Sequence, residues 1–144
     1  MSLSVKINAD AVGSIELSED TVDRIIFDTD TPNDSNDRSK DLAIGFTIIG
    51  KIRRGKVVAD DTLNLPKWAL VKGDEKPYGS VTVTVTGPTG ITIRETTLPN
   101  AFVTSYVEKF EDANGSSAGG IGTFTLKVKE VVDDNKSVTC QGGF

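Results

Sequence analysis

Residues 81–93, with the sequence VTVTVTGPTGITI, carry the clearest structural signal in the chain. Valine alternates with threonine over residues 81–86, and successive side chains of a β-strand point to opposite faces of its sheet. The alternation therefore predicts a strand with one buried face. Residues 87–90, GPTG, have the composition of a turn, and Ile91 and Ile93 resume the alternation beyond it. This stretch predicts an antiparallel β-hairpin.

The same period of two recurs along the chain. Apolar residues occupy alternate positions in residues 3–7, 42–52 and 124–128, and Val138 with Cys140 predicts a short last strand. In that strand Cys140 is expected to be a small buried residue. The pattern predicts a mainly β fold, a small antiparallel β-barrel or sandwich with one short helix.

A further strand is predicted over residues 102–110, with burial on both faces. Apolar or aromatic side chains occur at both parities, with Phe102, Thr104, Tyr106 and Phe110 on one face and Val103, Ser105 and Val107 on the other. Strands that are buried on both sides show this kind of pattern.

The one predicted helix lies within residues 60–70. An aspartate that can cap a helix precedes Leu63, and Pro66 fits only in the first turn, so the helix is expected to be brief. Trp68 has two interpretations: a ring that stacks on a sugar, or a side chain that closes the end of the core. Packing is the favoured interpretation, because tryptophan buries a large apolar surface.

Length and composition indicate one domain over residues 1–144. The chain has 16 Lys and Arg residues against 21 Asp and Glu residues, a net charge of −5, so nucleic acid is not an expected partner. The first residues alternate polar with apolar side chains and do not resemble a signal peptide. No stretch is apolar for long enough to span a bilayer. We therefore expect cytoplasmic synthesis and no membrane insertion.

The chain contains no histidine, which excludes Ser-His-Asp and Cys-His catalysis. One cysteine without histidine cannot form a standard zinc site. Carboxylates such as Glu108 and Glu111 form a glycosidase pair only in a cleft that raises the pKa of one of them, and the sequence indicates no such cleft. We predict no catalytic residue, no cofactor and no metal.

Residues 28–41 contain five aspartates and two asparagines. Oxygen-rich segments can bind calcium, but alignment with an EF-hand loop places Pro32 at the third ligand and Ser39 at the twelfth position. The favoured interpretation is a loop, either solvated or used in assembly, stabilised by local side-chain to backbone hydrogen bonds.

The order of these elements resembles a known family. In residues 98–110, LPNAFVTSYVEKF, a strand carries an Asn-Ala-aromatic-Val motif followed by a tyrosine and an acidic residue. The motif positions are Asn100, Ala101, Phe102, Val103, Tyr106 and Glu108. This run, with the polar loop before it and the helix that carries the tryptophan, resembles haemolysin-coregulated protein (Hcp), the tube subunit of type VI secretion, and its phage tail-tube relatives.

The resemblance implies a structural subunit that forms hexameric rings, which stack into a tube exported as part of an injection apparatus. Its implied partners are other copies of itself and sheath, baseplate or secreted cargo proteins. A long polar loop is more often functional than decorative, so we expect the loop to lie over an adjacent subunit. The predicted interface residues are Asp34, Asn36, Asp37, Arg38 and Lys40. The alternative is a monomeric β-sandwich that binds a carbohydrate or a protein, with or without calcium.

Overall fold

The computed structural model describes residues 1–31, 33, 36, 42–53, 62–111, 120–131 and 137–143. Within these residues the chain is mostly β-strand, with one short helix. The strands are β1 (Ser2–Ala9), β2 (Gly13–Leu17), β3 (Val22–Asp30), β4 (Ala43–Arg53), β5 (Gly79–Thr86), β6 (Thr92–Phe110), β7 (Gly120–Glu130) and β8 (Thr139–Gln141), and the helix is α1 (Asn64–Ala69).

All the strands belong to one antiparallel sheet that does not close into a barrel. The strand order is β2-β1-β5-β6-β7-β4-β3, and β8 pairs with β6. The long strand β6 pairs with β5 and β8 through its first half and with β7 through its second half. It therefore connects a layer made of β2, β1, β5 and β8 to a layer made of β7, β4 and β3. The predicted antiparallel β fold is confirmed. Because the sheet is open, the fold is a sandwich and not a barrel.

The core lies between the two layers. Alternate residues of β1, β2 and β5 face alternate residues of β4 and β7 across it, as the period of two requires. The buried apolar side chains include Ile7, Ile15, Val81, Phe46, Ile48, Phe124 and Leu126. The predicted hairpin is present, since Val81–Thr86 in β5 pairs with Thr92–Leu98 in β6 around the turn.

A β-bulge marks the point where β6 passes from one layer to the other. Gly79 pairs with Ala101, whereas Val81 pairs with Leu98, so β6 has an extra residue here. Pro99 lies within the bulge, where a residue without an N–H group can be accommodated. The next N–H group, that of Asn100, donates a hydrogen bond of 3.0 Å to the Glu130 carboxylate.

The helix closes one end of the core. Leu65 and Trp68 are buried, and the Trp68 indole N–H donates a hydrogen bond of 2.8 Å to the Pro77 carbonyl oxygen. Pro66 lies in the first turn, as predicted. The expected aspartate cap is wrong: α1 begins after Leu63, which makes no side-chain capping bond. The preceding Asp60 and Asp61 lie outside the described residues.

Three other expectations are corrected by the structure. The segment 28–41 does not start as a loop, because Asp28 and Asp30 continue β3 in pairing with Gly45 and Ala43. The second half of β6 is not buried on both faces, because Val107 and Phe110 are exposed. Only one of its two edges, the edge that pairs with β7, has a strand partner among the described residues. Cys140 is exposed, because β8 is a short strand with no buried residue.

Candidate assembly interface

The predicted loop residues are outside the described part of the chain, with one exception. Asp34, Asp37, Arg38 and Lys40 lie outside it, and Asn36 is exposed. Their placement at a subunit interface stays a prediction.

Asn100 and Ala101, the first two residues of the Asn-Ala-aromatic-Val motif, lie where β6 passes from one layer to the other. Ala101 is fully buried and pairs with Gly79 on one side and with Glu130 on the other. Glu130 is itself fully buried, and its Oε1 accepts the N–H of Asn100, whose carbonyl oxygen accepts the N–H of Val131 at 3.0 Å. These positions therefore have a structural role in setting the direction of β6.

The second half of the motif forms a side-chain pair on the projecting part of β6. The Tyr106 hydroxyl donates a hydrogen bond of 2.6 Å to Oε1 of Glu108, and the Tyr106 ring stacks over Phe124 with a centroid distance of 6.5 Å. Burial of the ring, together with the bond to the Glu108 carboxylate and its charge, raises the pKa of Tyr106 above its ordinary value. The pair therefore favours a neutral, oriented tyrosine on this part of the strand.

Two strand edges of the second layer have no partner among the described strands. Residues Phe102–Phe110 of β6 pair with β7 alone, since β5 ends opposite Ala101. At the other end of the same layer, β3 pairs with β4 alone. Each edge is nine residues long. Such edges present unpaired backbone N–H and C=O groups to a strand from another chain.

Both edges carry exposed apolar side chains on both faces of the sheet. On β3, Ile26 is 42% exposed and Phe27 is 43% exposed; on β6, Val107 is 43% exposed and Phe110 is 57% exposed. The strand register places Ile26 and Val107 on the face away from the core and Phe27 and Phe110 on the core side. Edge-to-edge pairing would bring apolar side chains together on each face.

Phe110 is held in place by its strand partner. A Cβ on Gly122, the residue opposite Phe110, would lie 2.6 Å from Cδ1 of the Phe110 ring, so only a glycine leaves room for it. This packing of an aromatic ring over a cross-strand glycine supports the end of a strand.

The β3 edge was not predicted from the sequence. A signal was available: Ile25, Ile26 and Phe27 form a run of residues that favour strands, directly before Asp28.

The structure also shows the positions of the remaining candidate residues, Glu108, Glu111 and Trp68. Glu108 is bonded to Tyr106, and both Glu108 and Glu111 are exposed on or beside the free end of β6. Trp68 is 1% exposed, so packing is confirmed and its ring is not available to a sugar. The described residues contain no group of three or more acidic or cysteine side chains arranged to hold a metal ion. No helix in the described part of the chain has the length and apolar character needed to cross a membrane.

No family model matches the sequence, and no curated protein is significantly similar to it. Solved structures do match. Hcp1 from Flavobacterium johnsoniae is 15% identical with a TM-score of 0.58, and the match covers 99% of this chain and 97% of that one. Hcp1 from the E. coli EAEC 042 pathovar is 13% identical with a TM-score of 0.58, and the match covers 99% of both chains.

A chain of the PVC sheath-tube complex of an extracellular contractile injection system, in the extended state, is also similar. It is 16% identical with a TM-score of 0.53, and the match covers 99% of this chain and 89% of that one. At these identities the likeness concerns the fold. The resemblance predicted from the sequence is confirmed at that level: the chain has the fold of Hcp1 proteins and of components of contractile injection systems.

Proposed function

We propose that this chain is a non-enzymatic structural subunit that assembles into hexameric rings, which stack into the tube of a phage tail-like or type VI-like secretion apparatus. The observation that supports this most is the pair of free edges, β3 and the second half of β6, at opposite ends of one layer. The fold shared with Hcp1 proteins and with a chain of a sheath-tube complex also supports a tube subunit.

The strand directions permit a head-to-tail contact. Across the layer β6, β7, β4 and β3 alternate in direction, so β6 of one copy and β3 of the next would be antiparallel. The two surfaces differ, so the contact is heterologous, and such contacts close into a ring when the rotation fits. Ile26 and Val107 would then be covered on one face, and Phe27 and Phe110 on the other.

We assign the polar loop to the same role. It follows β3, so residues Asp34, Asn36, Asp37, Arg38 and Lys40 would continue the contact from the β3 edge onto the neighbouring copy. Charge pairs across such a contact are individually weak but favour one register. Sheath, baseplate and secreted cargo proteins are the further partners of the assembled tube, which would leave the cell as part of the apparatus.

For the alternative, a monomeric β-sandwich that binds a carbohydrate or a protein, with or without calcium, the candidate residue for stacking on a sugar is not available. The Trp68 side chain, on the buried face of α1, donates a hydrogen bond to the Pro77 carbonyl oxygen, so a sugar cannot stack on its ring.

Replacing Phe110 with lysine tests the edge contact. Phe110→Lys puts a charge where the proposed contact buries an aromatic ring, and charged residues on an edge oppose strand pairing. We expect the variant to be a monomer at concentrations where the wild type assembles, measured by light scattering. The matched control is Ile91→Lys, which changes an apolar residue of similar exposure, 52%, at the β5–β6 turn.

The control should assemble like the wild type. Assembly of Phe110→Lys to the wild-type mass would contradict the edge contact. A circular-dichroism spectrum with unchanged β content establishes that both variants fold.

A further inference from the structure

Two exposed leucines flank α1, and one of them borders a groove. Leu63 precedes the helix and is 70% exposed, whereas Leu70 follows it and is 79% exposed. A groove of about 430 Å³ lies between α1 and the second half of β6. Its lining includes Pro66, Ala69, Leu70, Val103, Tyr106 and Glu108. Leu63, at the other end of the helix, is not part of this lining.

The walls of this groove are mainly apolar. Val103 and Tyr106 lie on the core side of β6, because they pair with Val128 and Leu126, which are buried. The Glu108 carboxylate accepts the hydrogen bond of the Tyr106 hydroxyl, which orients the aromatic ring beside the groove. A groove with apolar walls and an oriented aromatic ring favours an aliphatic or aromatic occupant.

The strand register indicates which residue of a neighbouring copy would reach this groove. Each free edge has one extra residue where the register with its own partner strand shifts, Asp23 on β3 and Thr104 on β6. With these two residues unpaired, the two edges overlap along their whole length and keep their core faces on the same side. The resulting pairs are Asp30 with Phe102, Thr29 with Val103, Asp28 with Ser105, Phe27 with Tyr106, Ile26 with Val107, Ile25 with Glu108, Arg24 with Lys109 and Val22 with Phe110.

Apolar contacts favour this register over its alternatives. Only shifts by two residues also keep the core faces together, since a shift by one turns every side chain to the other face. A shift in one direction would place Ile26 opposite Lys109 and Phe27 opposite Glu108. A shift in the other direction would leave Phe110 without a partner. Full overlap instead pairs apolar side chains on both faces of the sheet.

The charges on the face away from the core are mixed, and they do not decide the register. Arg24 would lie opposite Lys109, whereas Asp28 would share a row with Lys127 of the neighbouring copy. Exposed charge pairs of either kind contribute little. The register is therefore argued from Ile26 and Phe27.

We propose that the groove between α1 and β6 receives the Phe27 side chain of a neighbouring copy, against Tyr106 and Leu70. This inference rests on the proposed function and adds a receiving site on the helix side, which strand pairing alone does not provide. Phe27 is already positioned within its own chain, because its ring lies 5.4 Å from the Phe46 ring, between centroids. It is 43% exposed, so part of the ring is left for a second contact.

Leu70→Asn tests the groove, and Leu63→Asn is the matched control. Both leucines flank the same helix, and asparagine is accepted at either end of a helix. Light scattering over a dilution series gives the concentration at which half of the protein is assembled. We expect Leu70→Asn to raise it by about tenfold, since a buried apolar contact is lost, and Leu63→Asn to stay within about twofold of the wild type. Circular dichroism with unchanged β content establishes that both variants fold.

Cysteine cross-linking tests the register independently, in a Cys140→Ser background that removes the native thiol. Ile26→Cys with Val107→Cys places two thiols opposite each other in neighbouring copies. The control pair, Ile26→Cys with Lys109→Cys, places them diagonally. We expect diamide to join chains of the first pair at least about fivefold faster, because a disulfide needs directly opposite residues. Within one chain β4 and β7 separate the two strands, so a link joins two copies.

Three results would overturn this inference where the wild type assembles: normal assembly of Leu70→Asn, an equal loss in both leucine variants, or faster linking through Lys109→Cys. Each of them would leave the tube subunit in place, because the wild type would still form its rings. A wild-type chain that stays monomeric would instead contradict the proposed function, and the groove contact with it.

Discussion

At the scale of single residues, the motif on β6 combines two unrelated tasks. Asn100 and Ala101 belong to the bulge, where a small buried residue and a backbone N–H bonded to Glu130 set the course of the strand. Tyr106 and Glu108 belong to the projecting part, where the hydroxyl-carboxylate bond fixes the ring over Phe124. A contiguous sequence motif is therefore split between folding and a candidate contact surface.

The Tyr106 hydroxyl makes stability depend on pH at alkaline values. Its pKa is raised in the folded chain by burial and by the Glu108 carboxylate, whereas an unfolded tyrosine ionises near pH 10. Above about pH 10 the unfolded chain loses this proton and the folded chain keeps it, so the free energy of unfolding falls as pH rises. We expect a shallower fall in Tyr106→Phe, measured by urea unfolding between about pH 9 and 11.

The control is Tyr78→Phe, which removes the other tyrosine, an exposed residue on the loop before β5. This variant should follow the wild-type slope. An identical slope for Tyr106→Phe and the wild type would show that the Tyr106–Glu108 pair does not form in solution.

At the scale of elements, the course of β6 depends on the bulge and on Glu130. Glu130→Ala would leave the N–H of Asn100 without its bond and open a cavity beside Ala101. We expect a loss of about 2–4 kcal/mol in the free energy of unfolding. Glu130→Gln keeps an acceptor oxygen and should lose less. Urea unfolding at a fixed protein concentration measures both.

Glu111→Ala is the matched control, since Glu111 is exposed just beyond the end of β6. Surface changes of this kind stay within about 0.5 kcal/mol of the wild type. A similarly small effect of Glu130→Ala would contradict the role of Glu130 at the crossing.

Elements with strict alternation were predictable from the sequence. In the first part of β5 and in β7, one side chain in two is apolar, and the core buries these residues: Val81, Val83, Phe124, Leu126 and Val128. The alternation does not tell where burial ends, since Ile91 beyond the turn is exposed. The short helix was predictable in position because Pro66 and Trp68 restrict it. The sandwich was not separable from a barrel, because closure depends on how β3 and β6 end, which no local pattern records.

The burial of the second half of β6 was mispredicted for a physical reason. Aromatic and β-branched residues at both parities are typical of a strand buried on both sides, and Val107 and Phe110 fit that pattern. In the single chain they are exposed, and beyond Ala101 only one edge of β6, the edge that pairs with β7, has a strand partner among the described residues. The sequence pattern matches the burial that β6 would have in an assembly.

At the scale of the whole molecule, one layer of the sandwich has a free strand edge at each end, among the described strands. Its two free edges, β3 and residues Phe102–Phe110 of β6, have equal length, opposite direction and exposed apolar side chains on both faces. A neighbouring copy would give each free edge a partner strand, and a repeated head-to-tail contact would form a ring.

A tube subunit must self-assemble, and the mass of the purified wild-type chain in solution shows whether it does. Light scattering across a range of concentrations, followed by negative-stain imaging of the same peak, gives the mass and the shape together. We expect a mass that is a multiple of the 15.3 kDa subunit, six subunits for a single ring by the proposed function, and rings or stacked rings in the images. A protein that stays at 15.3 kDa at every concentration, with no rings, would contradict it.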